Sequence, residues 1–246
     1  MTQRIAVVTG GLGGLGTEIC KVLARAGRRV IAADLPPGTG RLAAFQAQTE
    51  GLDVHFAAAD VGDFDACAAL VRQVHERHGA LDILVNNAGI TRDATLRKMD
   101  KAQWDAVLGI NLDGVFNLCR HVVDGMQARG FGRVVNISSV SGQTGNFGQT
   151  NYAAAKAGLH GFTMALAREV ASKGVTVNSV SPGYVETPMT QAMPADARER
   201  TIAAVPVGRI GQPADIARAV AFLAADDAGY ITGANLPVNG GLFMSF

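Results

Sequence analysis

The sequence predicts an α/β protein built on a doubly wound parallel sheet of about seven strands, with helices on both faces. Short apolar segments, of the kind that is buried on both faces of a parallel sheet, alternate with helical segments along the whole chain. The connections between them are short, and a glycine-rich turn joins the first strand to the first helix. Because no repeat or linker interrupts this alternation, we expect residues 1–246 to form one domain of the Rossmann type.

The composition limits the classes of function. The chain has 22 Lys and Arg residues against 21 Asp and Glu residues, so its charge does not indicate binding to nucleic acid or to a membrane surface. It shows no leader pattern and no apolar run long enough to span a membrane. Its three cysteines are far apart. We therefore expect a cytoplasmic protein with no disulfide and no metal site.

The first predicted unit is a strand at 4–9, a helix at 17–26 and a strand at 29–34. Between the first two lies Thr9-Gly-Gly-Leu-Gly-Gly-Leu-Gly16, and Asp34 follows 18 residues after Gly16. This order is typical of dinucleotide binding, because glycines let the backbone approach a pyrophosphate at a helix N-terminus. The alternative is a plain glycine-rich turn between a strand and a helix. The predicted cofactor residues in this turn are Gly10, Gly11, Leu12, Gly14, Leu15 and Gly16.

The same alternation continues to the end of the chain. Further strands are predicted at 53–59, 82–86, 132–138, 175–180 and 235–238. Helices are predicted at 41–50, 64–78, 101–128, 152–172 and 213–225, and a less regular helical pattern covers 189–204.

Three segments follow predicted strands at the carboxyl edge of the sheet, where open α/β sheets bind their ligands. They are Asp60-Val61, Asn86-Asn-Ala-Gly89 and Ser181-Pro-Gly-Tyr-Val-Glu-Thr187. Asp60 is also consistent with a helix N-cap, and the last segment with an ordinary turn. The predicted cofactor contacts here are Asp60, Val61, Asn87, Ala88, Gly89, Pro182, Gly183, Val185 and Thr187.

Tyr152 and Lys156 lie four residues apart in a predicted helix, so they share one face of it. An ammonium close to a phenol favours the phenolate, and we expect Lys156 to lower the pKa of Tyr152. Ser139, just after a strand, would bond a substrate oxygen. These groups suit acid–base chemistry on a carbonyl and alcohol pair. The alternative is a packed ring beside a solvated amine.

Taken together, these motifs resemble the short-chain dehydrogenase/reductase family over nearly the whole chain. The resemblance implies a catalytic tetrad of Asn111, Ser139, Tyr152 and Lys156, with Asn111 holding a water that is bonded to Lys156. It implies that Tyr152 and Lys156 also contact the nicotinamide cofactor. It further implies a homotetramer built around the helices at 101–128 and 152–172.

Two stretches narrow the resemblance: Asn86-Asn-Ala-Gly-Ile-Thr-Arg-Asp93 and Gly145-Asn-Phe-Gly-Gln-Thr-Asn-Tyr152. They are most similar to the branch of the family that reduces acetoacetyl-CoA in polyhydroxybutyrate synthesis, which implies an acyl-CoA substrate. The first alternative is the branch that reduces 3-oxoacyl groups on an acyl carrier protein, for which Arg129 and Lys173 are candidate contacts. The others are a dehydrogenase of another secondary alcohol and a catalytically silent dinucleotide sensor or scaffold.

The most detailed predictions concern the cofactor and the substrate pocket. Asp34 accepts bonds from ribose hydroxyls and repels a 2′-phosphate, so we expect NADH to be preferred, with NADPH as the alternative. Arg92, Arg97 and Lys98 are predicted at the mouth of the cleft, near the charged CoA tail. The predicted substrate-binding residues are Ser139, Gln143, Phe147, Gln149, Tyr152, Tyr184 and Arg92.

Overall fold

A single parallel sheet of seven strands organises the computed structural model, which describes residues 3–186 and 195–244. Its strand order is β3-β2-β1-β4-β5-β6-β7, so the chain winds outward from β1 in both directions. The doubly wound sheet predicted from the sequence is confirmed, and each strand lies within two residues of its predicted bounds. The strands are β1 (Ile5–Thr9), β2 (Arg29–Asp34), β3 (Val54–Ala58), β4 (Leu81–Asn86), β5 (Gly132–Ile137), β6 (Val175–Pro182) and β7 (Asn235–Val238).

Successive side chains of the central strands enter two different cores, one on each face of the sheet. In β1, Val7 belongs to one core and Val8 to the other, and both are fully buried. Val7 pairs with Ile31 on β2 and with Leu84 on β4. Because both faces are covered, these strands are continuously apolar rather than alternating, which is the pattern that identified them in the sequence.

Helices cover both faces of the sheet. One face carries α3, α5 and α7, and the other carries α1, α2 and α9. The helices are α1 (Gly14–Arg25), α2 (Thr39–Gln48), α3 (Phe64–His78), α4 (Lys101–Leu108), α5 (Gly114–Arg129), α6 (Ser141–Thr144), α7 (Thr150–Val170), α8 (Ala195–Ala204) and α9 (Pro213–Leu223).

The helix predicted at 101–128 is not continuous. A π-helical turn, Gly109–Asp113, separates α4 from α5. The side chain of Asn111 donates to the carbonyl of Val107, four residues earlier, and so competes for the acceptor that an α-helical N–H would use. Such turns recur at functional sites, and this one contains a predicted catalytic residue.

Smaller differences occur at helix ends. Helix α1 begins at Gly14, three residues before the predicted start, and α2 begins and ends two residues earlier than predicted. The short helix α6 was not predicted. Of the helical pattern at 189–204, the part at 189–194 lies outside the described residues.

Two further findings concern the described residues. None of their helices is both long and apolar enough to cross a membrane. Between residues 3 and 186 and from 195 to 244, no three His, Cys, Asp or Glu side chains are grouped as a metal site would need. The three cysteines are buried free thiols.

Candidate active site

The predicted catalytic residues meet at the carboxyl edge of the sheet. Tyr152 and Lys156 lie on the first turns of α7, and the Lys156 Nζ is 5.6 Å from the centroid of the Tyr152 ring. Ser139, two residues beyond β5, is near enough to Tyr152 to lower the pKa of its phenol. Asn111 comes from the π-helical turn. A Cβ at Gly89 would lie 2.6 Å from Asn111 Oδ1 and 3.5 Å from Lys156 Nζ, so both groups border the same narrow space.

Burial controls the ionisation of Tyr152. It raises the pKa of the phenol, the hydrogen bond with Ser139 lowers that pKa in part, and the Asp93 carboxylate raises it further. The phenol is therefore protonated at neutral pH, which is the form that a proton donor needs. Asp93 was not among the predicted site residues, and only its proximity to Tyr152 in the fold reveals it.

The structure differs from the expectation that Lys156 lowers the pKa of Tyr152. The Lys156 side chain is buried, and its Nζ donates to the carbonyl of Ile137 at 2.8 Å. The burial lowers the pKa of Lys156 itself to about 8. The ammonium thus bonds to the end of β5, and the pKa of the phenol is raised by burial and not lowered by Lys156.

Asn111 is fully buried, and its two amide hydrogens are both used. They are donated to the carbonyls of Ile90 and Val107, each at 2.8 Å. Its Oδ1 has no hydrogen-bond partner among the described residues. Since a buried acceptor is costly to leave unsatisfied, this oxygen is suited to a donor arriving from the Lys156 side of the space.

The glycine-rich turn forms the cradle that a dinucleotide requires. Gly10 has a left-handed φ of +60°, and a Cβ there would lie 3.0 Å from the Cα of Ala88. A Cβ at Gly16 would lie 2.2 Å from the carbonyl oxygen of Gly10. Only glycine at this position therefore allows α1 to lie so close to the turn. A turn with glycine at these positions, at the N-terminus of a helix, is the arrangement that binds a pyrophosphate, so the residues present fit a dinucleotide.

Thr9 ties this turn to the segment that follows β4. Its hydroxyl oxygen accepts from the backbone N–H groups of Asn87 and Ala88, each at 2.9 Å. The Asn87 side chain donates in return to the carbonyl of Thr9 at 2.8 Å. The structure therefore brings these predicted cofactor residues next to the glycine turn.

Asp34 ends β2 beside the turn, and Arg41 lies against it. The Asp34 carboxylate accepts from the backbone N–H groups of Leu12 at 3.0 Å and Leu35 at 2.9 Å. Arg41, which α2 presents, places its Nη2 at 3.1 Å from Asp34 Oδ2, with half of its side chain exposed. This cation was not predicted from the sequence, because it lies seven residues beyond the acid, on a different element.

The other predicted cofactor residues lie along the same edge of the sheet. Asp60 is exposed and accepts from the N–H of Gly62 at 2.9 Å. Gly183 continues β6, its N–H donates to the carbonyl of Val238 at 3.1 Å, and Val185 is buried. Thr187 lies outside the described residues.

The candidate substrate residues fall into two groups. Phe147 and Tyr184 are exposed by 90% and 37%, respectively. Gln149 is instead engaged in the loop: its amide nitrogen donates to Asp93 at 3.0 Å, and its oxygen accepts from Ser141 and Asn146. One amide hydrogen is therefore left for the predicted thioester contact.

Two more of these candidates differ in burial. Gln143 has a buried Oε1 without a hydrogen-bond partner in the part of the chain that the structure describes. Arg92 is exposed, and its guanidinium donates to the neighbouring carbonyl of Thr91 at 2.8 Å. Arg97 and Lys98 are exposed as well.

Comparison with known proteins gives consistent matches. A model of the short chain dehydrogenase family matches residues 4–198. The acetoacetyl-CoA reductase of Allochromatium vinosum is 59% identical over 243 residues, which cover 98% of this chain and 99% of the relative. That of Cupriavidus necator is 52% identical over 246 residues, covering 99% and 100%.

Two further relatives extend the comparison. The 3-oxoacyl-[acyl-carrier-protein] reductase of Vibrio harveyi is 46% identical over 241 residues, covering 98% of each chain. The crystal structure of gox2181 superimposes with a TM-score of 0.92 at 38% identity, covering 98% of this chain and 96% of that one.

Proposed function

We propose that this chain, which belongs to the short-chain dehydrogenase family, reduces acetoacetyl-CoA to (R)-3-hydroxybutyryl-CoA in polyhydroxybutyrate synthesis. That it is an oxidoreductase follows from the family. The observation that carries the finer proposal is the similarity, over nearly the full length, to acetoacetyl-CoA reductases at 59% and 52% identity. The (R) configuration of the product is assigned from that similarity.

The chemistry assigns one role to each side chain. When bound, a nicotinamide cofactor supplies the hydride that reduces the 3-oxo carbon. Tyr152 gives its phenolic proton to the oxygen that becomes the alcohol, and Ser139 donates a hydrogen bond to the same oxygen. Lys156 and the free Oδ1 of Asn111 lie on the side from which the phenol is reprotonated. Lys156 would also bind the nicotinamide ribose.

NADH is the preferred cofactor in this proposal. The support is the position of Asp34 at the end of β2, where a carboxylate accepts bonds from ribose hydroxyls. Arg41 acts in the opposite sense, because its guanidinium offsets part of the repulsion between Asp34 and a 2′-phosphate. The variants Asp34→Ser and Arg41→Gln separate the two effects.

Asp34→Ser should lower kcat/KM with NADH and shift the preference toward NADPH. Arg41→Gln should lower kcat/KM with NADPH and change the NADH value by less than about fivefold, since each exposed charge contact is worth about 1 kcal/mol or less. A wild-type enzyme that works better with NADPH would show that the guanidinium of Arg41 prevails over the carboxylate.

A second candidate substrate is the 3-oxoacyl group on an acyl carrier protein, and the Vibrio harveyi relative favours it. The residues suggested as its contacts do not support it. Arg129 ends α5 and Lys173 precedes β6, so both lie at the amino edge of the sheet, opposite the catalytic residues. Arg129 also donates to the carbonyl of Leu81 at 2.5 Å.

The deciding experiment compares initial rates with acetoacetyl-CoA and with acetoacetyl-acyl carrier protein, each with NADH and with NADPH. We expect the highest kcat/KM with acetoacetyl-CoA and NADH. A higher value with the carrier protein would replace the proposed substrate. No turnover of either, with the cofactor bound normally, would favour a silent sensor.

The acyl pocket can be tested by truncating its two aromatic candidates. Phe147→Ala and Tyr184→Ala should each reduce kcat/KM for acetoacetyl-CoA more than tenfold, or ~1.4 kcal/mol, because both rings are proposed to contact the acyl group. Ethyl acetoacetate, which lacks the CoA tail, should respond in the same way. Arg97→Gln at the exposed rim is the control, and its smaller effect on KM should disappear in salt.

The proposal also places the protein in the cytoplasm, as a single domain of residues 1–246 and as a homotetramer built around α4, α5 and α7. Exposed apolar side chains on two of these helices support the assembly: Phe116 on α5 is 50% exposed and Met164 on α7 is 52% exposed. Light scattering after size exclusion should give four times the mass of the chain, and Phe116→Asp or Met164→Asp should reduce it.

A further inference from the structure

His160 joins a buried hydrogen-bond chain behind the catalytic lysine. It lies one turn after Lys156 on α7, and its Nε2 is 2.8 Å from the hydroxyl of Ser138 and 3.3 Å from that of Ser181. The Ser138 hydroxyl donates to the backbone carbonyl of Lys156 at 2.8 Å. Both serines are buried. Each directly precedes a residue of the candidate site, Ser139 in one case and Pro182 in the other.

One placement of the protons gives every acceptor of this chain a donor. A serine hydroxyl has one proton, and Ser138 gives its own to the carbonyl of Lys156. Ser181 gives its proton to the Oδ1 of Asn235 at 2.8 Å. In this placement both hydroxyls accept from His160, and the imidazole carries its proton on Nε2. Burial lowers the pKa of His160, and the ring is neutral at neutral pH.

The arrangement fixes Lys156 at two points. Its Nζ donates to the carbonyl of Ile137, and its own carbonyl accepts from the hydroxyl of Ser138, the next residue along β5. The second contact depends on the rotamer of Ser138, which the N–H of His160 determines. Without that donor the hydroxyl is free to rotate away from α7, and the end of β5 loses one of its bonds to the helix.

We propose that His160 is a positioning residue, whose Nε2–H fixes the ends of β5 and β6 against α7 and so holds Ser139 and Lys156 at the spacing that reduction needs. The inference rests on the proposed function for its catalytic readout. It assigns His160 no contact with substrate or cofactor. A residue that only stabilised the fold would change the free energy of unfolding, without a separate effect on kcat or on cofactor affinity.

Three variants test the role. His160→Leu removes the donor and keeps most of the volume, whereas His160→Gln places an amide N–H near the position of Nε2. Ser138→Ala removes the hydroxyl that the donor orients. His75→Leu, at an exposed histidine on α3, is the matched control. For each we would measure kcat and KM with acetoacetyl-CoA, the Kd of NADH by fluorescence, and unfolding in urea.

We expect His160→Leu to lower kcat at least tenfold and to weaken NADH binding, because Lys156 serves both steps. His160→Gln should return kcat to within about threefold of the wild type. Adding Ser138→Ala to His160→Leu should lower kcat only slightly further, since both substitutions act through one chain of hydrogen bonds. His75→Leu should leave kcat and the Kd of NADH unchanged.

The inference is overturned if His160→Leu keeps more than a third of the wild-type kcat, or if the Gln variant is folded and as inactive as the Leu variant. It is also overturned if the two substitutions at 138 and 160 have independent, additive effects. A wild-type enzyme that does not turn over acetoacetyl-CoA would refute the proposed function instead. In that case the role of His160 would be tested by the Kd of NADH, compared between the His160→Leu and His160→Gln variants.

Discussion

At the scale of single residues, burial shifts the pKa values of Tyr152 and Lys156, the two ionisable groups of the predicted catalytic set, in opposite directions. It raises the pKa of the Tyr152 phenol and lowers the pKa of the Lys156 ammonium to about 8, so it favours the neutral form of each. At pH 7 the phenol therefore keeps its proton. This state is the one required for reduction of a carbonyl, whereas oxidation of an alcohol requires the phenolate.

The phenol can be tested by removing its oxygen alone. Tyr152→Phe keeps the ring and its packing but leaves nothing to protonate the substrate oxygen. We expect kcat to fall by about 10²–10⁴, with the Kd of NADH nearly unchanged. Single-turnover rates measure the chemical step directly. A variant with more than a tenth of wild-type turnover would show that another group supplies the proton.

The burial of Lys156 predicts a dependence of stability on pH. The unfolded chain keeps the lysine proton up to about the ordinary pKa of 10.5, whereas the folded protein releases it near a pKa of about 8. Between these values the unfolded state binds more protons, so the stability contributed at this residue rises with pH. The burial of the charge is a cost of ~3 kcal/mol, fully present below pH ~8.

Urea unfolding of the wild type and of Lys156→Met at pH 7 and pH 10 measures this effect. All other titrating groups are the same in the two proteins, so the difference in their free energies of unfolding isolates Lys156. The wild type should gain stability relative to the variant as the pH rises through that window. An equal difference at both pH values would show that Lys156 is solvated. Lys173→Met, at an exposed position, is the control and should show no such trend.

At the scale of elements, the strands and the motif residues at their ends could be predicted from the sequence. Seven apolar segments bounded by turns identified the strands, and most motif residues lie at the carboxyl ends of those strands. The π-helical turn was missed, because one side-chain bond from Asn111 to Val107 alters the helix without changing its apolar pattern. Helix α6 is four residues long and has too few turns for any period to be visible.

The residues that were not predicted from the sequence share a physical reason. Arg41 and Asp93 act through side chains that approach the site from other elements. His160 lies one turn after Lys156, but it acts through Ser138 and Ser181, which lie at the ends of two strands. Arg41 contacts Asp34 and Asp93 affects Tyr152 only because the fold brings them together. No local spacing rule identifies such contacts in a single sequence.

The close approach of α1 to the glycine turn depends on Gly16. Gly16→Ala would force a Cβ to within 2.2 Å of the backbone oxygen of Gly10, which cannot move as a side chain does. We expect a loss of about 1–3 kcal/mol in the free energy of unfolding and more than a tenfold weaker binding of NADH.

The matched control is Gly40→Ala, which also adds a methyl group in a helix. A Cβ at Gly40 meets nothing within 4 Å, so alanine should be neutral or stabilising by up to about 1 kcal/mol. Chemical denaturation and fluorescence titration of both variants make the comparison. Equal effects of the two substitutions would mean that the approach at Gly16 is relieved by a shift of α1.

At the scale of the whole molecule, the site depends on contacts between distant parts of the chain. The glycine turn follows β1, the segment of Asn87 follows β4, and the predicted catalytic residues lie on the π-helical turn, after β5 and on α7. Strand β1 pairs with β4 although Ala6 and Ile83 are far apart in the sequence. The edge of the sheet at which these parts meet is complete only when the central strands are aligned.

This strand order has a consequence for the kinetics of folding. Parallel strands with long connections pair late, because a long loop must close before their contacts form. The cofactor needs the aligned ends of β1, β2 and β4, so it should bind the native state but not the transition state. Saturating NADH should then slow unfolding and leave the refolding rate unchanged. Stopped-flow denaturant jumps with and without NADH test this expectation, and refolding accelerated by NADH would show that the cradle assembles early.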